Sequence, residues 1–167
     1  RQITFYDDTF TVLKKVCLEF CECLAAENLG ITWVAYVRGD CFNDQMAAAM
    51  KKAGCHQVLI GVETGSPMIS ERIRKPIDRE RYRRTVEIAH KHGMEVRGSF
   101  ILGNMDETWE TMEETLDFAI ELDVDIFQPT ISTPYPGTQL YKEAVERGML
   151  KSTNWYEYGQ GTVLVSQ

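Results

Sequence analysis

A chain of 167 residues with net charge −7, 44% hydrophobic and 26% charged residues has the size and mix of one globular domain, able to bury roughly 70% of its unfolded surface. The negative balance disfavours a nucleic-acid scaffold, whose affinity rests on neutralising phosphates with a basic surface. No apolar run approaches the roughly 20 residues of a membrane span, and the opening Arg1-Gln2-Ile3-Thr4-Phe5-Tyr6 lacks the core of a secretion signal, so a cytoplasmic protein with a small-molecule partner is expected.

A first strand at 3–6 ends in Asp7-Asp8-Thr9-Phe10-Thr11. Val12, Leu13, Val16, Phe20 and Leu24 then recur at helical spacing, which predicts a helix over 12–27 capped by Thr9 or Thr11. Two adjacent acids exceed what a cap requires, so one of Asp7 and Asp8 is a candidate binding group; neighbours on a strand point to opposite faces, so only one would face a shared mouth. Within that helix Cys17 and Cys21 share a face while Cys23 lies roughly 160° away, so the three do not converge on a metal. They read as small core residues, and the odd count of five cysteines reads as reduced thiols.

Further strands are expected at 32–37, 57–62, 95–102 and 125–131, with helices between them. Gly30, Gly54 and Gly93 stand where helices stop before the next strand, allowing a left-handed turn. The third connection is long, and Lys75-Pro76-Ile77-Asp78 splits it into a short helix opened by Ser66-Pro67 and a longer one capped by Asp78. Phe5, Trp33, Tyr36 and Phe100 read as core. Asp106 and Glu107 suit the positive end of the following helix, and Pro134-Tyr135-Pro136-Gly137-Thr138 is a rigid turn that delivers Thr138 to a helix start at 139–147. From Gly148 the chain becomes irregular and aromatic.

Regular alternation of strand and helix gives βαβ units and a parallel sheet with right-handed crossovers. Ligands of such sheets bind at the carboxyl ends of strands, which here also include Arg38-Gly39-Asp40, Gly61 to Gly65 and Gly98 to Gly103. Glu63 closes an otherwise apolar strand, so its carboxylate needs either a ligand or an ion pair with Arg38 or Arg97. Gly98 to Gly103 lacks the spacing of a phosphate loop. These residues alone leave three readings open: a cofactor-dependent enzyme, a noncatalytic α/β scaffold, and a barrel enzyme using Glu63 with Asp7 or Asp8 as acid and base.

Taken together, ITFYDDTFT, ITWVAYVRGD, AGCHQVLIGVETGS, GMEVRGSFILGNMDET and PYPGTQLYKEAVERGML resemble the later strands of radical S-adenosylmethionine (SAM) enzymes, most closely those carrying an amino-terminal cobalamin-binding domain. The resemblance implies a partial, TIM-like (β/α) barrel over residues 1–148, parallel with its helices outside, followed by an irregular extension over 149–167. It implies SAM and a [4Fe-4S] cluster as cofactors, with cobalamin as a further cofactor of the parent protein, and a deoxyadenosyl radical that abstracts hydrogen from substrate. Asp7, Asp8 and Thr9 match the segment that meets the methionyl amino group, and Glu63 the acid that meets the ribose hydroxyls. Arg38 and Arg97 are candidates for the SAM carboxylate or for orienting Glu63. Ser99, Ile101, Leu102 and Gly103 lie where the fifth barrel strand nears adenine, and Gln128 lies on the last. The cluster-binding CxxxCxxC loop of the family follows the first barrel strand and has no match in this sequence, which covers strands two to six. The cluster ligands are therefore expected upstream, the chain alone is expected to be inactive, and an uncovered first strand is expected to drive self-association through residues 1–10.

Overall fold

The computed structural model describes residues 1–158. Five strands form one parallel sheet in sequence order: β1 (Gln2–Phe5), β2 (Thr32–Tyr36), β3 (Cys55–Glu63), β4 (Glu95–Leu102) and β5 (Ile126–Ile131). Between and after them run α1 (Lys14–Glu27), α2 (Asp44–Lys52), α3 (Pro67–Arg72), α4 (Arg79–Lys91), α5 (Trp109–Glu121) and α6 (Gln139–Glu146). Each strand pairs with its predecessor, so the intrinsic twist accumulates in one sense and curls the sheet into a half-barrel. The expected α/β, TIM-like architecture is present.

Strand alternation separates two faces. Trp33 and Ala35 of β2, Val58, Ile60 and Val62 of β3, and Val96 and Phe100 of β4 join Cys17, Met46, Met50, Val86 and Phe118 of the helices in one core. The alternate positions Tyr36, Gly61, Arg97, Ser99 and Ile101 fall on the concave face. Trp33 is fully buried, donates from Nε1 to the Ala53 carbonyl at 2.8 Å, and sits in a ring cluster with Phe5, Phe10 and Phe20 at centroid distances of 5.2 to 6.0 Å. Phe100 is equally buried. Tyr36 departs from the expected core role: half-buried, it lines a groove on the concave face.

The helix starts show which polar residues act locally. Asn43 accepts from Met46 N, Asp78 from Arg81 N, Thr138 from Tyr141 N, and Thr108 forms a reciprocal capping box with Thr111. Two expectations fail here. Helix α1 begins after Leu13 with no side-chain cap; Thr9 Oγ1 donates to the Asp8 carbonyl instead, and Thr11 Oγ1 is buried without a partner among the described residues. Asp106 does not begin α5 either, because its backbone is left-handed (φ 65°) and the cap falls two residues later at Thr108. The connection split at Lys75-Pro76 forms as expected, with Pro67 opening α3 and Asp78 capping α4. Gly65 lets the loop after β3 press on α5: a Cβ there would meet the Glu114 carbonyl oxygen and Phe118 Cβ, both at 2.5 Å. Leu150 to Tyr158 carry one isolated bridge residue and a single 3₁₀ turn; residues 159–167 of the expected extension lie outside the described residues. No helix among the described residues is long and apolar enough to cross a membrane.

Candidate functional site

Strand β3 ends in an irregularity that aims its last side chain. The β3–β4 register shifts between Gly61 and Glu63, and Glu63 adopts a left-handed backbone (φ 69°). A non-glycine residue held there costs on the order of 1–3 kcal/mol and persists only where the surroundings fix it. What fixes it is Lys75, whose Nζ donates to Glu63 Oε1 at 2.7 Å and to the Gly61 carbonyl at 2.8 Å. Tyr82 Oη donates to the same carbonyl at 3.2 Å, and burial, then the nearby Glu63 charge, pushes its phenol up to about 12, so it stays a donor. A Cβ on Gly61 would stand 2.7 Å from Glu63 Oε1, so a side chain there would displace the carboxylate from its present position.

Around this carboxylate opens a groove of about 600 Å³. Of the residues singled out from sequence, Asp8, Arg38, Glu63 and Ser99 line it. Ile101 and Gln128 line a neighbouring cavity of about 1040 Å³ at the ends of β4 and β5. Asp7, Thr9, Arg97, Leu102 and Gly103 line neither of the two. Asp7 and Asp8 both lie in the turn beyond β1, so strand alternation is not what separates them.

The expected ion pairs of Glu63 are replaced. Arg38 forks onto Asp40, from Nε to Oδ1 at 3.1 Å and from Nη2 to Oδ2 at 2.5 Å, and this hydrogen bonding holds the Asp40 carboxyl below the usual aspartate range. Arg97 makes no ion pair among the described residues, and its Nε is buried without a partner. Lys75 and Tyr82 were not legible as site residues, because the Lys75-Pro76 step signals only a helix break and the tertiary fold brings both to the strand end.

These observations fit one cofactor and not another. An open groove beside the Glu63 carboxylate, which accepts from Lys75 and, among the described residues, from no backbone donor, suits a ligand with paired hydroxyls and a charged amino-acid end, as in SAM. No group of three or more His, Cys, Asp or Glu side chains among the described residues is placed to hold a metal ion. Cys17, Cys21 and Cys55 are buried, and desolvation pushes the Cys55 thiol up to about 12, away from the thiolate a cluster ligand must be. The described residues therefore do not fit a [4Fe-4S] cluster.

The sequence matches the model of the radical SAM superfamily over residues 1–119. The chain belongs to the radical SAM superfamily. It is 44% identical over 158 residues to an uncharacterized methyltransferase of Pyrococcus horikoshii, covering 95% of this chain and 34% of that protein. It is 30% identical to the anaerobic magnesium-protoporphyrin IX monomethyl ester cyclase of Rubrivivax gelatinosus, covering 82% and 25%. The fold is similar, at a TM-score of 0.71 and 18% identity, to the radical SAM methyltransferase TsrM of Kitasatospora setae solved with cobalamin and a [4Fe-4S] cluster, covering 87% of this chain and 28% of that one. Radical SAM proteins are enzymes whose cofactors are SAM and a [4Fe-4S] cluster. The chain spans between a quarter and about a third of the length of these two curated relatives.

Proposed function

We propose that this chain forms the SAM-binding wall of a radical SAM enzyme, with Glu63 as the acceptor for the ribose hydroxyls. The observation that carries the proposal is the left-handed Glu63 at the end of β3, clamped by Lys75 so that its carboxylate meets the groove. Asp8, with Asp7 and Thr9 beside it, offers acceptors to the methionyl ammonium, and Arg38 or Arg97 a cation to its carboxylate. Ser99, Leu102 and Gly103 form the adenine side, and Ile101 and Gln128, which line the neighbouring cavity, stand at its border on β4 and β5. When bound, SAM and the cluster supply the radical that abstracts hydrogen from a small-molecule substrate. The methyltransferase relatives favour methyl transfer with cobalamin as the outcome, and a cytoplasmic setting is part of the same proposal.

Calorimetric titration of the full-length protein with SAM tests the assignment. Hydrogen bonds to a charged group contribute about 1.5 to 3 kcal/mol each, so Glu63→Ala is expected to weaken SAM by about tenfold or more. Unchanged affinity in a folded variant would reduce Glu63 to a structural partner of Lys75.

A further inference from the structure

The cavity of about 1040 Å³ shares no lining residue with the Glu63 groove, and its chemistry differs. We propose that it binds a planar, mainly apolar ligand carrying a single anionic group, stacked on Tyr135 and paired with Arg74. The proposal rests on the preceding one in taking this ligand to be the substrate, and it names the substrate's class.

Its walls are largely apolar, with Ile73, Ile101, Met105, Ile131 and Leu140 among them. A cavity of this volume and lining suits a ligand of many ring atoms. Tyr135 stands on its rim, 44% exposed, with Trp155 edge-on to it at 6.4 Å and Tyr158 at 6.0 Å, the latter two stacked at 5.3 Å. A ring half-exposed on one side and braced by two others is a preformed face for a flat ligand. Gln128 also lines the cavity, and its buried Oε1 has no hydrogen-bond partner among the described residues.

The charges on the wall decide the sign of the ligand. Arg72 and Glu143 pair with each other and, with Asp106 and Arg147, close a ring of two cations and two anions. Arg74 makes no side-chain hydrogen bond or ion pair among the described residues, although its backbone is held left-handed at φ 56°. Glu71, on the same wall, has no side-chain partner among the described residues and repels a second anion. One anionic group at Arg74 is the load this wall accepts.

Fluorescence titration of the full-length protein with 1-pyrenebutyrate and its neutral amide reads the site, with a SAM titration run in parallel and a thermal melt on every variant. The acid should bind about tenfold more tightly than the amide, and Arg74→Ala should erase that ratio while leaving the amide unchanged. Tyr135→Leu should weaken both by about fivefold and Tyr135→Phe neither, as stacking requires. Glu71→Gln should tighten the acid alone. Equal affinities for acid and amide, binding of neither, an Arg74→Ala protein that keeps the ratio, or a Glu71→Gln protein that loses the acid each overturns the proposal. A normal pyrene pattern with SAM affinity indifferent to Glu63→Ala would instead overturn only the assignment of the Glu63 groove.

Discussion

Lys75 Nζ lies 2.7 Å from Glu63 Oε1, and the same ammonium donates to the carbonyl of Gly61 two residues earlier. One cation thus ties a carboxylate to the backbone irregularity that presents it. The Glu63 and Lys75 side chains are 22% and 42% exposed, so solvent screens the pair and its direct contribution to stability is modest.

Strain and function at Glu63 can be separated by substitution. Glycine adopts φ 69° without penalty, whereas alanine keeps the strain and loses the Lys75 contact. Glu63→Gly is expected to be more stable than Glu63→Ala by about 1 kcal/mol in urea unfolding, with SAM binding weakened equally in both. Alanine proving the more stable would show that the left-handed backbone at this position carries no strain.

The Trp33 site sets the stability of the first two strands. Trp33→Ala removes a buried ring packed on Phe5, Phe10 and Phe20 and orphans the Ala53 carbonyl, so a loss of about 3–5 kcal/mol is expected by denaturant unfolding. Trp33→Phe should lose less, since it keeps most of the apolar contact.

The charge ring gives a pH signature. Hydrogen bonding from Arg147 holds the Asp106 carboxyl below its ordinary value, so the folded protein releases this proton more readily than the unfolded chain. The contribution is present above the unfolded value near 4 and is lost as the pH falls through the lower folded value. Asp106→Asn should therefore lower stability modestly at pH 7 and flatten the acid limb, the two proteins converging as the pH falls through the folded value, and 1 M salt should shrink the difference at pH 7 because the ring is partly exposed. An unchanged acid limb would mean that Asp106 does not contribute.

Strand β1 pairs with β2 on one side and no described strand pairs with the other; Ile3 on β1 and Tyr6 just beyond it are 41% and 80% exposed. The expected self-association through residues 1–10 remains a proposal about this edge. Light scattering of the 167-residue chain at about 100 μM should show species larger than a monomer, reduced by Ile3→Lys, which sets a charge on the edge. A strictly monomeric chain sinks it.

The alternation of strand and helix, the breaks at Lys75-Pro76 and the position of Glu63 at a strand end were legible in the sequence, because each depends on periodicity and backbone preference over a few neighbouring residues. So was the divergence of Cys23 from Cys17 and Cys21, which follows from helical rotation alone. The partners were not. Glu63 meets Lys75 and not an arginine, Asp106 meets Arg147 and Arg72 and not a helix end, and Tyr36 faces the groove, since these contacts depend on sheet register and on how α3, α4 and α6 settle over it. Arg72 and Glu143 are 71 residues apart in the chain, and only the tertiary fold brings two such side chains together.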